Sequence, residues 1–240
     1  MNLVMVAHGT RRPEGVAMIG DLAQQVSALV AHPVRTAFVD VLGPAPSEVL
    51  SCAAETGRAA VVVPAFLSRG YHVRVDVPAH VEASGHPDVT VTAALGPDAQ
   101  VARLVAQQLR KAGWCPGDSV ILAAAGTSDP AARVDLRVAA GMLSALTGSR
   151  VELAFAATGE PSVPTAVADA RRRSRARVAV ASYLLAEGLF QERLRSSGAD
   201  IVSDPIGTHP GLARLIARRF VGAERPYRPT CTIPSTRRVG

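Results

Sequence analysis

The chain has 240 residues, 48% of them hydrophobic, and 26 Lys and Arg against 20 Asp and Glu leave a formal charge of +6. That is enough for one large domain or two of about 120 residues, and too apolar for wholesale disorder. The longest apolar run, residues 59–67 with a proline inside it, is far short of the roughly 20 residues that a membrane span needs.

The start, residues 1–10, lacks the basic flank and small-residue cleavage site of a signal peptide. Three cysteines, Cys52, Cys115 and Cys231, are odd in number and widely spaced, so neither a disulfide framework nor a CxxC knuckle is formed. A soluble, cytoplasmic protein is the expectation. Only Lys111 among the basic residues is a lysine. The excess of arginine suggests acidic partners, but aromatic residues make up only 4%, poor material for stacking bases. Nucleic acid and membrane are therefore not expected partners. The dense run Arg171-Arg172-Arg173-Ser174-Arg175-Ala176-Arg177 reads as a solvated helix end favoured by the macrodipole.

Predicted strands and helices alternate along the chain. Strands are expected over 3–7, 34–39, 60–66, 89–93, 120–124, 151–156, 178–183 and 200–203. Helices are expected over 15–30, 46–56, 73–84, 98–112, 130–147, 163–174, 188–197 and 210–220. Continuously apolar strands with helical crossovers specify a parallel sheet covered on both faces, the α/β doubly wound class.

The chain also repeats. Leu3-Val4-Met5-Val6-Ala7-His8-Gly9-Thr10 matches Val120-Ile121-Leu122-Ala123-Ala124-Ala125-Gly126-Thr127 at an offset of 117. The run starting at Val61 matches the run starting at Val178 at that offset, and Gly70-Tyr71-His72 falls on Gly188-Leu189-Phe190 one residue further on. Leu95-Gly96 and Ile206-Gly207 correspond at 111. A duplicated four-stranded βα unit follows: 1–114, 118–220, and a mobile tail over 221–240 poor in periodicity.

The two copies differ in chemistry. His8 and His72 lie just past the carboxyl ends of predicted strands, where open α/β sheets bind ligands, and their counterparts are Ala125 and Phe190. If the first and third strands are neighbours, both imidazoles converge on one ligand. One active copy and one degenerate copy is the economical account. His72, Asp76 and His80 have helical i, i+4, i+8 spacing, but Pro78 argues against an unbroken helix there, so Asp76 is better suited to capping the helix or orienting His72. His32 and His86 precede prolines at expected surface turns, and His209, matching Asp98, suits a helix cap. No GxxxxGK, GxSxG or GxGxxG motif occurs.

These residues resemble a known family. The strand ending in His8-Gly9-Thr10, the loop Gly70-Tyr71-His72-Val73-Arg74-Val75-Asp76-Val77-Pro78, Pro46-Ser47 and Leu95-Gly96-Pro97 are similar to class II chelatases, of the long duplicated sirohydrochlorin type (CbiX/SirB). The resemblance implies two similar α/β domains and insertion of Fe²⁺ into sirohydrochlorin to make sirohaem. Insertion of Co²⁺ for cobalamin synthesis and non-catalytic tetrapyrrole or metal binding are the alternatives. It carries over His8 and His72 as catalytic, metal-handling residues and Asp40 as a third metal ligand, although a glutamate is usual at that place. No cofactor beyond the divalent metal substrate is implied. Sirohydrochlorin carries eight carboxylates, so Arg11, Arg12, Arg69 and Arg74 beside the histidines are candidate substrate-binding residues. A monomer and a homodimer are both compatible with the duplication.

Overall fold

The computed structural model describes residues 1–223, built from two consecutive copies of one βα pattern. The first runs β1 (Asn2–Ala7), α1 (Pro13–Val30), β2 (Val34–Phe38), α2 (Pro46–Ala54) and β3 (Ala60–Pro64). A π-helical turn (His72–Asp76) then leads into α3 (Val77–Ala83), β4 (Val89–Val91) and α4 (Ala99–Lys111). The second runs β5 (Ser119–Ala124), α5 (Pro130–Thr147), β6 (Val151–Phe155), α6 (Val163–Arg173), β7 (Val178–Tyr183), α7 (Leu189–Arg195), β8 (Ile201–Val202) and α8 (Pro210–Ala223). The first three residues assigned to the tail, 221–223, complete α8, and the rest of 221–240, with Cys231, lies outside the described residues.

Each copy forms its own parallel sheet, in the order β2-β1-β3-β4 and β6-β5-β7-β8. The strands are apolar on both faces because each sheet is covered twice. In β1 the alternation sends Leu3, Met5 and Ala7 into the central core, and Val4 and Val6 into an outer core under α2 and α3 with Val49, Leu50 and Val77. In the second copy Ile121, Ala123, Val178 and Val180 face the outer helices α6 and α7, packing on Val163, Val167 and Leu194. The central core is shared by both copies, from Leu3 to Phe220.

The last helix of each copy crosses to the other. α4 packs against α5 and β7, while α8 packs against α1 and β3, and the two crossing helices touch. Gln108 ties α4 to the Pro205 carbonyl at 2.8 Å, and Gln100 bonds the Gly211 carbonyl at 2.7 Å. The repeat units of the sequence are thus not the packing units, because an amphipathic helix buries its apolar face wherever a sheet face is open.

Strand register also moves one correspondence. Leu3 pairs with Val61, whereas Val120 pairs with Ala179, so the third strands correspond at an offset of 118, not 117. Val61 and Val63 face the central core, as do Ala179 and Ala181. A match shifted by one residue puts every side chain on the wrong face. The extra residue therefore enters before β7, and from there to Gly70/Gly188 and His72/Phe190 the offset is constant.

Candidate active site

β1 and β3 are hydrogen-bonded neighbours, which brings the loops after them side by side. His8 follows β1, and the chain turns at Gly9, whose φ is +96°. A Cβ there would sit 2.1 Å from the Asp40 carbonyl oxygen, so only glycine fits. The His8 carbonyl accepts the Asp40 amide at 3.0 Å, fixing the strand end against the loop after β2. The His8 ring bonds the Gly9 carbonyl through Nδ1 at 3.0 Å. A carbonyl only accepts, so Nδ1 carries the proton, and in the neutral ring Nε2 keeps its lone pair.

His72 opens the π-helical turn, where Val77 donates to the His72 carbonyl. This wider turn lets the chain stay helical through Pro78, at the start of α3, because Pro has no N–H to contribute to an α-helical bond. The helical path is therefore continuous but not a regular α-helix. Asp76 lies 2.5 Å from His72 Nδ1 and accepts the proton there, which in the neutral ring leaves the lone pair on Nε2. His80 does not join them: its Nδ1 lies 3.1 Å from Ser47 Oγ. Asp76 thus orients His72, and the three-residue stripe does not form.

The His8 and His72 rings are 4.6 Å apart and nearly perpendicular, with Phe66 stacked 6.0 Å from His72. Both face a cleft of about 630 Å³ between the two sheets' carboxyl ends. Its other wall comes from the second copy, with Ala125, Gly126, Leu189 and Phe190. Tyr183, buried beside the cleft, donates to the Leu67 carbonyl at 3.0 Å. Burial, then the charges of Asp135 and Asp98, push its phenol well above the ordinary value, so it stays a neutral donor.

Two successive segments, residues 2–112 and 119–223, match the CbiX family model. The chain belongs to the CbiX family. A sirohydrochlorin ferrochelatase of Priestia megaterium is 23% identical over 234 residues, covering 90% of this chain and 88% of that one. A sirohydrochlorin cobaltochelatase of Methanothermobacter thermautotrophicus is 26% identical over 133 residues, covering 47% of this chain and 92% of its own. Among solved structures, SirB from Bacillus subtilis with Fe³⁺ superposes with a TM-score of 0.80 at 20% identity, covering 93% of this chain and 96% of that one. That likeness is one of fold.

In this CbiX-family chain the backbone of Asp40 meets the histidine pair at the His8 carbonyl. Its carboxylate accepts the Val41 amide at 2.7 Å and does not line the cleft. Among the described residues no group of three or more His, Cys, Asp or Glu is placed to hold a metal ion. The pair His8 and His72 stands alone.

The four arginines split by environment. Arg69 grips Asp135 of α5 with Nε and Nη2 at 2.6–3.2 Å and with its backbone amide at 2.8 Å. The Asp135 side chain is 1% exposed; burial pushes its carboxyl up, but the bonds and charge of Arg69 outweigh that and hold it below the ordinary value. Arg12 forms a two-pronged pair with Glu192 at 2.5 and 3.0 Å, and Arg74 reaches Asp129 at 3.5 Å. Arg11 makes no ion pair among the described residues. Sequence reasoning missed all three acidic partners because they lie far along the chain, in the other copy.

The other histidines are structural. His209 Nδ1 accepts the Gly211 amide at the head of α8, as Asp98 accepts from Gln100 at the head of α4. His32 bonds the Met1 carbonyl, and His86, half-buried, accepts the Asp88 amide. In the arginine run, Arg171 pairs with Asp200, Arg172 with Asp169, Arg173 with Glu152 and Arg177 with Asp118. Four of the five arginines of the run are thus engaged in surface ion pairs. No helix among the described residues is long and apolar enough to cross a membrane.

Proposed function

We propose that this protein inserts Fe²⁺ into sirohydrochlorin, completing sirohaem. The observation that carries the proposal is the His8–His72 pair, with both Nδ1 atoms engaged and both Nε2 lone pairs free at one cleft. Metal–imidazole bonds are about 2 Å long, so rings 4.6 Å apart are within reach of a single ion. Neutral imidazole is a borderline ligand suited to Fe²⁺ and Co²⁺. Two ligands hold such an ion loosely, whereas a closed four-ligand set would retain it as a structural site.

Insertion requires the ion to shed water, meet one face of the macrocycle, and replace two pyrrole N–H protons. As the ion passes to the ring nitrogens, each Nε2 regains its lone pair and can accept one of those protons, which balances the exchange. Asp76 stabilises the resulting imidazolium on His72 and fixes its orientation. The mainly apolar lining of the cleft suits the flat ring, and the hydroxyls of Thr10, Ser68, Thr127 and Ser128 on it can donate to peripheral carboxylates. The archaeal cobaltochelatase relative favours Co²⁺ insertion for cobalamin as the second reading, since the same two ligands accept either ion. Asp40 belongs to the proposed metal set only if the loop after β2 turns its carboxylate towards the pair. A monomer or a homodimer fits this reading, since both walls of the cleft come from one chain.

The test is anaerobic absorption spectroscopy of sirohydrochlorin with Fe²⁺ or Co²⁺, with and without protein. Acceleration by the wild type, lost in folded His8→Ala and His72→Ala variants, supports the reading. No acceleration with either metal overturns it.

A further inference from the structure

The pairs that bridge the cleft obey a symmetry that the charges break. Pro13 and Pro130 open equivalent helices at an offset of 117, so Arg12 and Asp129 occupy the same place in the two copies. At the offset of 118 set by the third strands, Arg74 corresponds to Glu192. The pairs Arg12–Glu192 and Arg74–Asp129 are therefore the same bridge made twice, related by the pseudo-twofold between the copies. The first copy supplies both cations and the second both anions. Two first copies facing each other in this way would set Arg12 against Arg74.

Local structure shows that Arg12 is not there to stabilise its own helix. It occupies the cap position of α1 and makes no cap bond, whereas Asp129 caps α5 by accepting the Ala131 amide at 2.8 Å. A cation at a helix N-terminus opposes the macrodipole. None of the four bridge residues lines the cleft, but both bridges adjoin it: the Arg12 stem lies near Gly188 of the cleft wall, and Arg74 follows the wall residue Val73. Arg12 and Glu192 are 45% and 51% exposed and Arg74 58%; Asp129 is 18% exposed, and its contact with Arg74 is a long one at 3.5 Å. Exposed pairs are weak. The Arg69–Asp135 pair, with its carboxylate buried, is not exchangeable in this way.

We propose that Arg12 and Arg74 are carboxylate-binding sites occupied in the free protein by Glu192 and Asp129, and that peripheral carboxylates of the tetrapyrrole take their places when the ring enters the cleft. The proposal rests on the tetrapyrrole reading above. The exchange trades one charge-assisted pair for another, so it costs little and keeps both guanidinium groups pre-aligned. Asp129 retains its bond to the Ala131 amide after release, and Glu192 passes into solvent. Rings without carboxylates leave the bridges closed.

The experiment is a titration of metal-free sirohydrochlorin into the full chain, followed by absorption change, for the wild type, Glu192→Gln, Asp129→Asn, Arg12→Gln and the Arg12→Gln/Glu192→Gln double variant. Asparagine preserves the helix cap at 129. Glu192→Gln and Asp129→Asn are each expected to tighten binding by up to about fivefold, the ceiling for an exposed pair. Arg12→Gln is expected to weaken it about tenfold, and Glu192→Gln to have no further effect in that background. A ring with esterified carboxylates should not distinguish wild type from Glu192→Gln. If the bridges are only structural, Glu192→Gln weakens binding as Arg12→Gln does, and unchanged or weaker binding by Glu192→Gln overturns the proposal alone. Failure of the wild type to bind the ring overturns the tetrapyrrole reading and this proposal with it.

Discussion

Arg69→Ala isolates the bridge that the substrate is not expected to disturb. The substitution removes the Nε and Nη2 bonds to Asp135 but keeps the backbone amide bond at 2.8 Å. Breaking a buried ion pair on one side costs about 3–5 kcal/mol. Arg69 is itself 59% exposed, so water can reach the vacated space, and about 2–3 kcal/mol is the fitting magnitude. Urea unfolding of both proteins between pH 3 and 7 measures it. In the wild type Asp135 is held below its ordinary 3.8, so its linked stability is present above about pH 4 and is lost as pH falls through the folded value. In the variant, burial without Arg69 raises the carboxyl, and protonation relieves the buried charge. The gap between the proteins should therefore be widest near neutrality, begin to shrink as pH falls through the variant's raised carboxyl, and go on shrinking through the wild type's lowered one. Arg69→Met/Asp135→Leu should recover most of the loss. A gap under about 0.5 kcal/mol, or one independent of pH, would refute the reasoning.

Other expectations follow from the same geometry. Asp76→Asn removes the carboxylate that orients His72 and is expected to cut metal insertion by about 10–100-fold with the fold retained, checked by turnover beside circular dichroism. Gly9→Ala meets both a φ of +96° and a contact of 2.1 Å with the Asp40 carbonyl, and should destabilise the protein by more than about 3 kcal/mol in urea unfolding. Tyr183→Phe strips the Leu67 carbonyl of its donor, and a loss of about 1–3 kcal/mol is expected from thermal unfolding. Raising the salt concentration should weaken sirohydrochlorin binding, while the stability conferred by buried Asp135 changes far less.

Much of the fold was legible because its elements are local. Short β-branched runs such as Val61-Val62-Val63 read as buried strands, and the helix expected over 130–147 runs over those residues, opened by Pro130 and closed by Gly148. His8 and His72 stood out because the duplication supplied its own control, with Ala125 and Phe190 in the matching places. The one-residue error in aligning the third strands arose in a tract of alanine and valine, where several alignments look alike and only the register separates them.

Pattern alone determined the α/β class, the duplication and the candidate histidines, because strand periodicity, helix punctuation and internal repetition are written in neighbouring residues. Tertiary structure decided what crosses between the copies. It sent α4 and α8 to the opposite sheets, bound Arg69 to Asp135, and set Arg12 and Arg74 against Glu192 and Asp129. Those partners lie 55 to 180 residues apart, and their pairing depends on how two sheets meet rather than on any local preference. The charge excess visible at the outset thus resolves, at the cleft, into cations already holding carboxylates.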